Sequence, residues 1–426
     1  MDWLKQQDPV IVWDDGVRGP PLQTEADWIR AGAMVFEAPI SGNTNIVVDD
    51  VRNQEWLEKT ATPIAEDGTL PYFQYIVRRK GVVELGNLSC AMCHTRVMQD
   101  GTVLKGAQGN LPVQRAVAFR WRVNAAAARD QTEYLAQLRV RMKQLHAAPH
   151  LRPDPEAPID SMSIDQIASV FESVPPSVNP RQRGNTFLAI QVPDLIRVNE
   201  RRYLDRTGLE VHRSIGDLMR YAAMNQGADL LANYAGFIPA DVPRFRELPA
   251  PEKFFRYSDE QLYALARYIY SLQPPANPNV FDGVAARGRQ VFNREGCATC
   301  HTPPLYTNNK LTPADGFTIP ADHREKFDLL PMSVGTDSEL TLRTRRGTGY
   351  YKVPSLKGAW YRSMFGHSGW CATLEDWFDP RRLRDDYVPT GWKPRDRPTF
   401  AVKGHVYGLS ASDEDRRALI AFLKTL

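Results

Sequence analysis

A short motif written twice, in comparable surroundings, restricts a chain to folds that can build the same compartment twice. Here Cys90-Ala-Met-Cys-His94 and Cys297-Ala-Thr-Cys-His301 are two copies of Cys-x-x-Cys-His. Four of the five cysteines stand in these copies and only Cys371 lies outside them. A disulfide framework is therefore not expected, and Cys371 reads as a buried, inert thiol, the commonest state of a lone cysteine.

The surroundings repeat as well as the motif. Arg30-Ala-Gly32-Ala-Met-Val35-Phe36 resembles Ala286-Arg-Gly288-Arg-Gln-Val291-Phe292, and each precedes its own copy. VPDLIRVNERRYLDRTG (Val192 to Gly208) aligns without a gap on VPSLKGAWYRSMFGHSG (Val353 to Gly369), which sets Tyr203 against Met364 and Arg206 against His367. SDEQLYALARYIYSL (Ser258 to Leu272) aligns on SDEDRRALIAFLKTL (Ser412 to Leu426), each with a serine N-cap, acids in the first turn and apolar residues at helical spacing. Three landmarks in one order mark an internal duplication. The boundary falls in the Pro-rich stretch from Gln273, so the sequence divides into an N-terminal domain at 1–273, a linker at 274–282 and a C-terminal domain at 283–426.

The first half is longer by insertions. Tyr72 to Leu85 alternates apolar and polar residues around Arg-Lys-Gly and predicts a small β-hairpin. Asn124 to His146 predicts one helix packed through Leu135, Leu138, Met142 and Leu145. The expected fold class is mainly α.

Composition excludes several functions. The 426 residues suffice for two or three domains with proper cores, and the net charge of +3 is spread along the chain rather than gathered in a basic block. Nucleic-acid binding has no support in that pattern. No apolar run approaches the roughly 18–20 residues of a membrane span, and the start lacks the features of a signal peptide.

Cys-x-x-Cys-His has a chemistry that explains its spacing. Two thiols one helical turn apart can each add to one vinyl group of a haem, and the histidine that follows is carried under the iron as proximal ligand. A zinc half-site or a redox dithiol uses the same cysteines, but the first needs four ligands close together and the second a βαβ setting, and neither is visible. The expectation is two covalently bound haem c groups, held by Cys90, Cys93 and His94 and by Cys297, Cys300 and His301. Such attachment takes place outside the bacterial inner membrane, so a periplasmic location is expected, with the leader missing from the given sequence.

The sixth iron position decides between electron transfer and chemistry on a bound oxidant. His405, in Lys403-Gly-His405-Val-Tyr-Gly, is the first candidate for the second haem, and His367 and Met364 are its rivals. Sliding the closing helices together puts Pro251 opposite His405, so the first haem lacks that ligand. His367 and its repeat partner Arg206 both donate hydrogen bonds and fit an anionic haem propionate, as does Arg345 in the basic run Arg343 to Gly347. Trp360 and Trp370 are the tryptophans singled out for an electron relay.

From about Gly288 to Leu426, through GCATCHTPPLYTNN and VPSLKGAWYRSMFGHSGWCATLEDWFDP, the chain resembles the bacterial di-haem cytochrome c peroxidase superfamily. That superfamily includes a di-haem enzyme that matures a tryptophan-derived quinone and the di-haem rubber oxygenases. The duplicated landmarks extend the resemblance loosely over the first half. It implies two tandem class I cytochrome c-like domains, an active N-terminal haem on His94 and an electron-transferring C-terminal haem. At the position of Arg381 the peroxidases place a methionine ligand and the quinone-maturing enzyme a tyrosine, and arginine cannot serve. The rubber oxygenases carry a glycine-flanked histidine before the last helix, which His405 matches.

The expected function is thus a periplasmic di-haem oxidoreductase, peroxidase- or oxygenase-like, using peroxide or dioxygen. Its electrons would come from a small cytochrome c or cupredoxin. An electron carrier with both irons six-coordinate, or a haem-based ligand sensor, are the competing functions.

Overall fold

The computed structural model describes residues 1–10, 22–146, 151–181, 185–225, 257–344 and 347–426, the side chains of residues 144–146 and 181 excepted. It is mainly helical, with one three-stranded and three two-stranded antiparallel sheets among the described residues. The chain packs as two units. The first comprises Met1–Gln131, Asp194–Val198 and Ser214–Gln273, the second Thr132–Pro193, Asn199–Arg213 and Pro274–Leu426. No helix among the described residues is long and apolar enough to cross a membrane.

Each unit is built around the same helix pair. In the first, an opening helix (Glu25–Glu37) crosses a closing helix (Asp259–Ser271). In the second, Gly283–Arg294 crosses Asp413–Lys424 in the same way. All four start on an oxygen-bearing cap, Thr24, Ser258, Asp282 and Ser412, whose side chain accepts a first-turn backbone N–H.

The crossing point is glycine, and it is the same glycine twice. A Cβ built on Gly32 would lie 1.9 Å from the Ala264 carbonyl oxygen, and one on Gly288 would lie 1.9 Å from that of Ala418. Ala264 and Ala418 are partners in the sequence repeat. The next layer matches too, with Phe36 against Tyr268 at 5.3 Å between ring centroids and Phe292 against Phe422 at 5.4 Å. Burying rings of this size contributes about 1.5–3 kcal/mol each, and only a residue without Cβ lets the backbones approach closely enough to do it.

The insertions follow the sequence in part. The hairpin forms as Gln74–Arg79 against Val82–Asn87, turning at Lys80 and Gly81, the latter at φ +87°. Ser41–Gly42 adds a third strand that alternation did not reveal. The single helix expected over 124–146 is two, Val113–Ala127 and Gln131–His146. Ala128 is extended, at φ −69° and ψ 135°, and Asp130, a residue type favoured at N-caps, stands just before the second helix. Leu138 and Met142 are buried as expected, while the side chain of Leu145 lies outside the described residues. Within the second unit Val178–Arg181 pairs with Asn185–Gln191, and Leu311–Pro313 with Tyr350–Lys352.

Alanine normally stabilises a helix relative to glycine by about 1 kcal/mol, but the two crossings reverse that sign. Gly32→Ala and Gly288→Ala are each expected to destabilise their unit by about 1–3 kcal/mol, the usual effect of overpacking. Gly283→Ala, on the opening helix of the second unit with open space around its Cβ position, leaves stability unchanged or raises it. Urea unfolding of the three variants beside the parent measures this.

Candidate functional site

In the first unit Cys90–Cys93 form a single helical turn capped by Ser89, whose Oγ accepts the Met92 N–H at 3.1 Å. The turn packs against the opening helix. The His94 N–H closes it on the Cys90 carbonyl at 2.9 Å, and the His94 carbonyl accepts the Gly106 N–H at 2.7 Å. Gly109 is required here, since its Cβ would lie 2.0 Å from the Cys93 carbonyl oxygen. Burial, followed by the neighbouring Cys93, pushes the Cys90 thiol up to about 12. Nη1 of Arg96 donates to the Gln108 carbonyl at 3.4 Å, and burial lowers the pKa of this guanidinium against the opposing charges of Tyr72 and Asp194.

The second copy has the same start. Cys297–Thr299 form one 3-10 turn after Gly296, at φ +76°, and the His301 N–H reaches the Cys297 carbonyl at 2.9 Å. Burial pushes Cys297 up to about 11 and raises Cys300 as well. A disulfide-exchanging Cys-x-x-Cys needs a thiol lowered toward or below neutrality, so the raised thiols of Cys90, Cys297 and Cys300 argue against a redox dithiol. No group of three or more His, Cys, Asp or Glu side chains that could hold a metal ion occurs among the described residues.

Cys297, Cys300 and His301 face a cavity of about 1420 Å³ counted with its open mouth. The closing helix gives it Leu419 and Leu423, the opening helix Phe292, and the loops Leu356, Phe365 and Phe378. His405 lines it as well.

The two histidines face each other. The rings of His301 and His405 lie 6.1 Å apart between centroids. Two imidazoles on opposite sides of one metal ion, each with a metal–nitrogen bond of about 2 Å, are spaced by about that much once the nitrogen-to-centre distances are added. His301 Nδ1 lies 3.2 Å from the Tyr306 carbonyl oxygen, which places the ring proton on Nδ1 and the lone pair on Nε2. His405 Nδ1 is buried with no hydrogen-bond partner, a state that native proteins seldom leave without another group to answer it. Burial holds His301 at about 4 and His405 at about 3, so both are neutral near pH 7, the form that binds metals. The donors and the space therefore fit a haem.

The segment carrying His405 is unusual. Gly404 is at φ +79° and His405 at φ +45°, and a Cβ on Gly404 would lie 2.4 Å from the Gly335 carbonyl oxygen. The His405 N–H donates to Val334 at 2.6 Å, and the Trp377 ring lies 5.5 Å from the imidazole.

The two rivals of His405 have different surroundings. Met364 packs with the cluster around Trp370 and Cys371. His367 does line the cavity, stacked on Tyr351 at 4.4 Å and edge-on to Trp370 at 4.3 Å. Its Nε2 is 3.4 Å from Asp337, but burial and the nearby Arg206 hold His367 at about 3, so that contact is not an ion pair. Arg206 lines the same cavity, and the two repeat partners thus meet in one wall.

Beside them is Lys352, which sequence reasoning missed. It is half-buried and donates to the Tyr203 and Leu204 carbonyls at 2.8 and 3.2 Å. Burial and the neighbouring Arg201 and Arg206 hold it far below the usual lysine range. The available signal was the repeat itself, since Lys352 and Gln191 precede the two aligned Val-Pro landmarks and both line the cavity. Trp377 was missed as well, whereas Trp360 packs on Tyr361. Cys371 is fully buried, and burial pushes its thiol up to about 12. Pro251 and Arg345 lie outside the described residues.

No family model and no curated protein matches this chain. Among solved structures it is similar to hydrazine synthase of Kuenenia stuttgartiensis, at 16% identity and a TM-score of 0.33 over 68% of this chain and 87% of that one. It is also similar to a MauG-like protein associated with microbial copper homeostasis, at 14% identity and a TM-score of 0.34 over 56% of this chain and 73% of that one.

The close approaches at the first motif and at the His405 turn give a direct test. Gly109→Ala and Gly404→Ala are each expected to lower stability by about 1–3 kcal/mol through overlap with a carbonyl oxygen. The second also meets the left-handed penalty that alanine carries. Thermal unfolding compared with the parent reads both.

Proposed function

We propose that this chain is a di-haem c-type oxidoreductase of the bacterial periplasm, peroxidase- or oxygenase-like, built from two tandem class I cytochrome c-like domains. The observation that carries the reading is the opposition of His301 and His405 across a cavity that also receives both thiols of a Cys-x-x-Cys-His motif. Bound haem supplies one-electron iron chemistry and, at an open axial position, a place for peroxide or dioxygen.

The residues divide the work by position. Cys297 and Cys300 would tether the second haem, His301 and His405 would hold its iron, and the apolar wall would keep water away from it. Arg206, Lys352 and His367 offer donors to its carboxylates. Two strong ligands suit this haem to electron transfer. Cys90 and Cys93 tether the first haem and His94 holds it, and its active role rests on the repeat, which sets Pro251, without a donor group, where His405 stands. Reducing equivalents would arrive from a small cytochrome c or cupredoxin.

The mass of the isolated protein is expected to exceed the chain by two haems, and paired Cys→Ala changes at 90/93 or at 297/300 each remove one. The ferric electron paramagnetic resonance spectrum is expected to show one low-spin and one high-spin haem. Two low-spin haems that ignore cyanide would favour the electron carrier instead. His405→Ala converts the second haem to high spin.

Acid titration gives a separate check. A histidine held at about 3 by burial stays proton-free as the pH falls past the ordinary value of about 6.5. The low-spin signal of the second haem is therefore expected to persist through about pH 5, and loss of that signal near pH 6.5 would contradict a buried ligand.

A further inference from the structure

Arg382 has no exposed surface. Its Nε donates to the Trp377 carbonyl at 2.8 Å, Nη1 to the carbonyls of Val402 and, at 3.1 Å, Gly404, and Nη2 to that of His405 at 2.7 Å. The guanidinium also lies over the Trp377 ring, 4.7 Å from its centre. These partners include no carboxylate, and the adjacent Asp379 is engaged by Arg381 instead. A buried charge answered only by dipoles is among the most unfavourable arrangements a fold retains.

The direction of the bonds shows what the arrangement achieves. Three of the four carbonyls belong to Val402–His405, the stretch that turns the imidazole into the cavity. Two successive left-handed residues, one of them not glycine, do not hold themselves. Neither helix nor sheet covers this segment. Arg382 takes the His405 carbonyl, and Val334 takes the His405 N–H. A planar fork with five fixed donors suits this task, and a lysine does not.

We propose that Arg382 is the positioning residue for His405. Its guanidinium locks the left-handed Gly404–His405 turn so that the imidazole meets the second haem, and its uncompensated charge, fixed behind that ligand, favours the reduced iron. The inference rests on the reading of His405 as sixth ligand, and the experiment separates the two.

The holoprotein is compared as the parent, His405→Ala, Arg382→Lys, Arg382→Gln and the exposed neighbour Arg381→Gln. The readouts are the low-spin fraction of the second haem and its reduction potential. Arg382→Lys keeps the charge without the fork, so the low-spin fraction is expected to fall while the potential of the remaining low-spin population stays near that of the parent. Arg382→Gln loses both, and its one-electron equilibrium is expected to shift at least tenfold toward the oxidised iron, a drop of about 59 mV. Arg381→Gln changes neither.

If His405→Ala leaves the second haem signal unchanged, the ligand reading fails and this proposal fails with it. If His405→Ala converts that signal but both Arg382 variants keep the spin state and potential of the parent, only the role of Arg382 is overturned, even where those variants melt earlier. Arg382→Lys keeps the test readable should Arg382→Gln not fold.

Discussion

The closest approach of two helices in each unit, glycine against an alanine carbonyl, is the constraint on which the remaining structure depends. At Gly32 and Gly288 the opening helix comes near enough to the closing helix for Phe36 to meet Tyr268 and Phe292 to meet Phe422. The ion pairs across the same crossings have not been kept. Arg267 of the closing helix holds Glu25 in the first unit, whereas Arg287 of the opening helix holds Glu414 and Asp415 in the second. Surface pairs of this kind contribute about 0–1 kcal/mol, and a duplicated fold can exchange them. It cannot add a Cβ at the crossing without moving the helices apart.

From that crossing the position of each Cys-x-x-Cys-His follows. The opening helix of each unit packs against the turn that carries the cysteines, so the motif is presented beside the helix pair. In the second unit the closing helix then lines the far wall of the cavity through Leu419 and Leu423. The sequence difference between the halves, an immediate step from helix to motif in one and a long insertion in the other, becomes the difference between a bare 3-10 turn after Gly296 and a Ser89-capped turn behind a hairpin.

Much of this was legible because a repeat supplies its own control. Gly32 and Gly288 are unremarkable glycines until they align, and Arg206 and His367 are an unrelated pair until the landmark sets them at one position. Local pattern did less well where local chemistry decides. The helical periodicity of 124–146 runs through Ala128 and Asp130 without a visible break, yet the chain leaves the helix and restarts it there. Arg382 was illegible for a different reason. Arginine is normally solvent-exposed, and nothing in a single sequence shows that its partners are mostly backbone carbonyls of another loop.

Two neighbouring arginines on one short turn of helix are put to opposite uses. Here Arg381 points to Asp379 at the surface, and the next residue turns inward. The short helix Pro380–Leu383 thus offers the guanidinium that holds the Gly404–His405 turn. The two features make sense together: a left-handed turn between loops needs an external clamp, and a buried arginine needs carbonyls that no regular element has already taken. Turn and clamp are one device distributed over two segments, and a change in either would be felt first at the imidazole of His405.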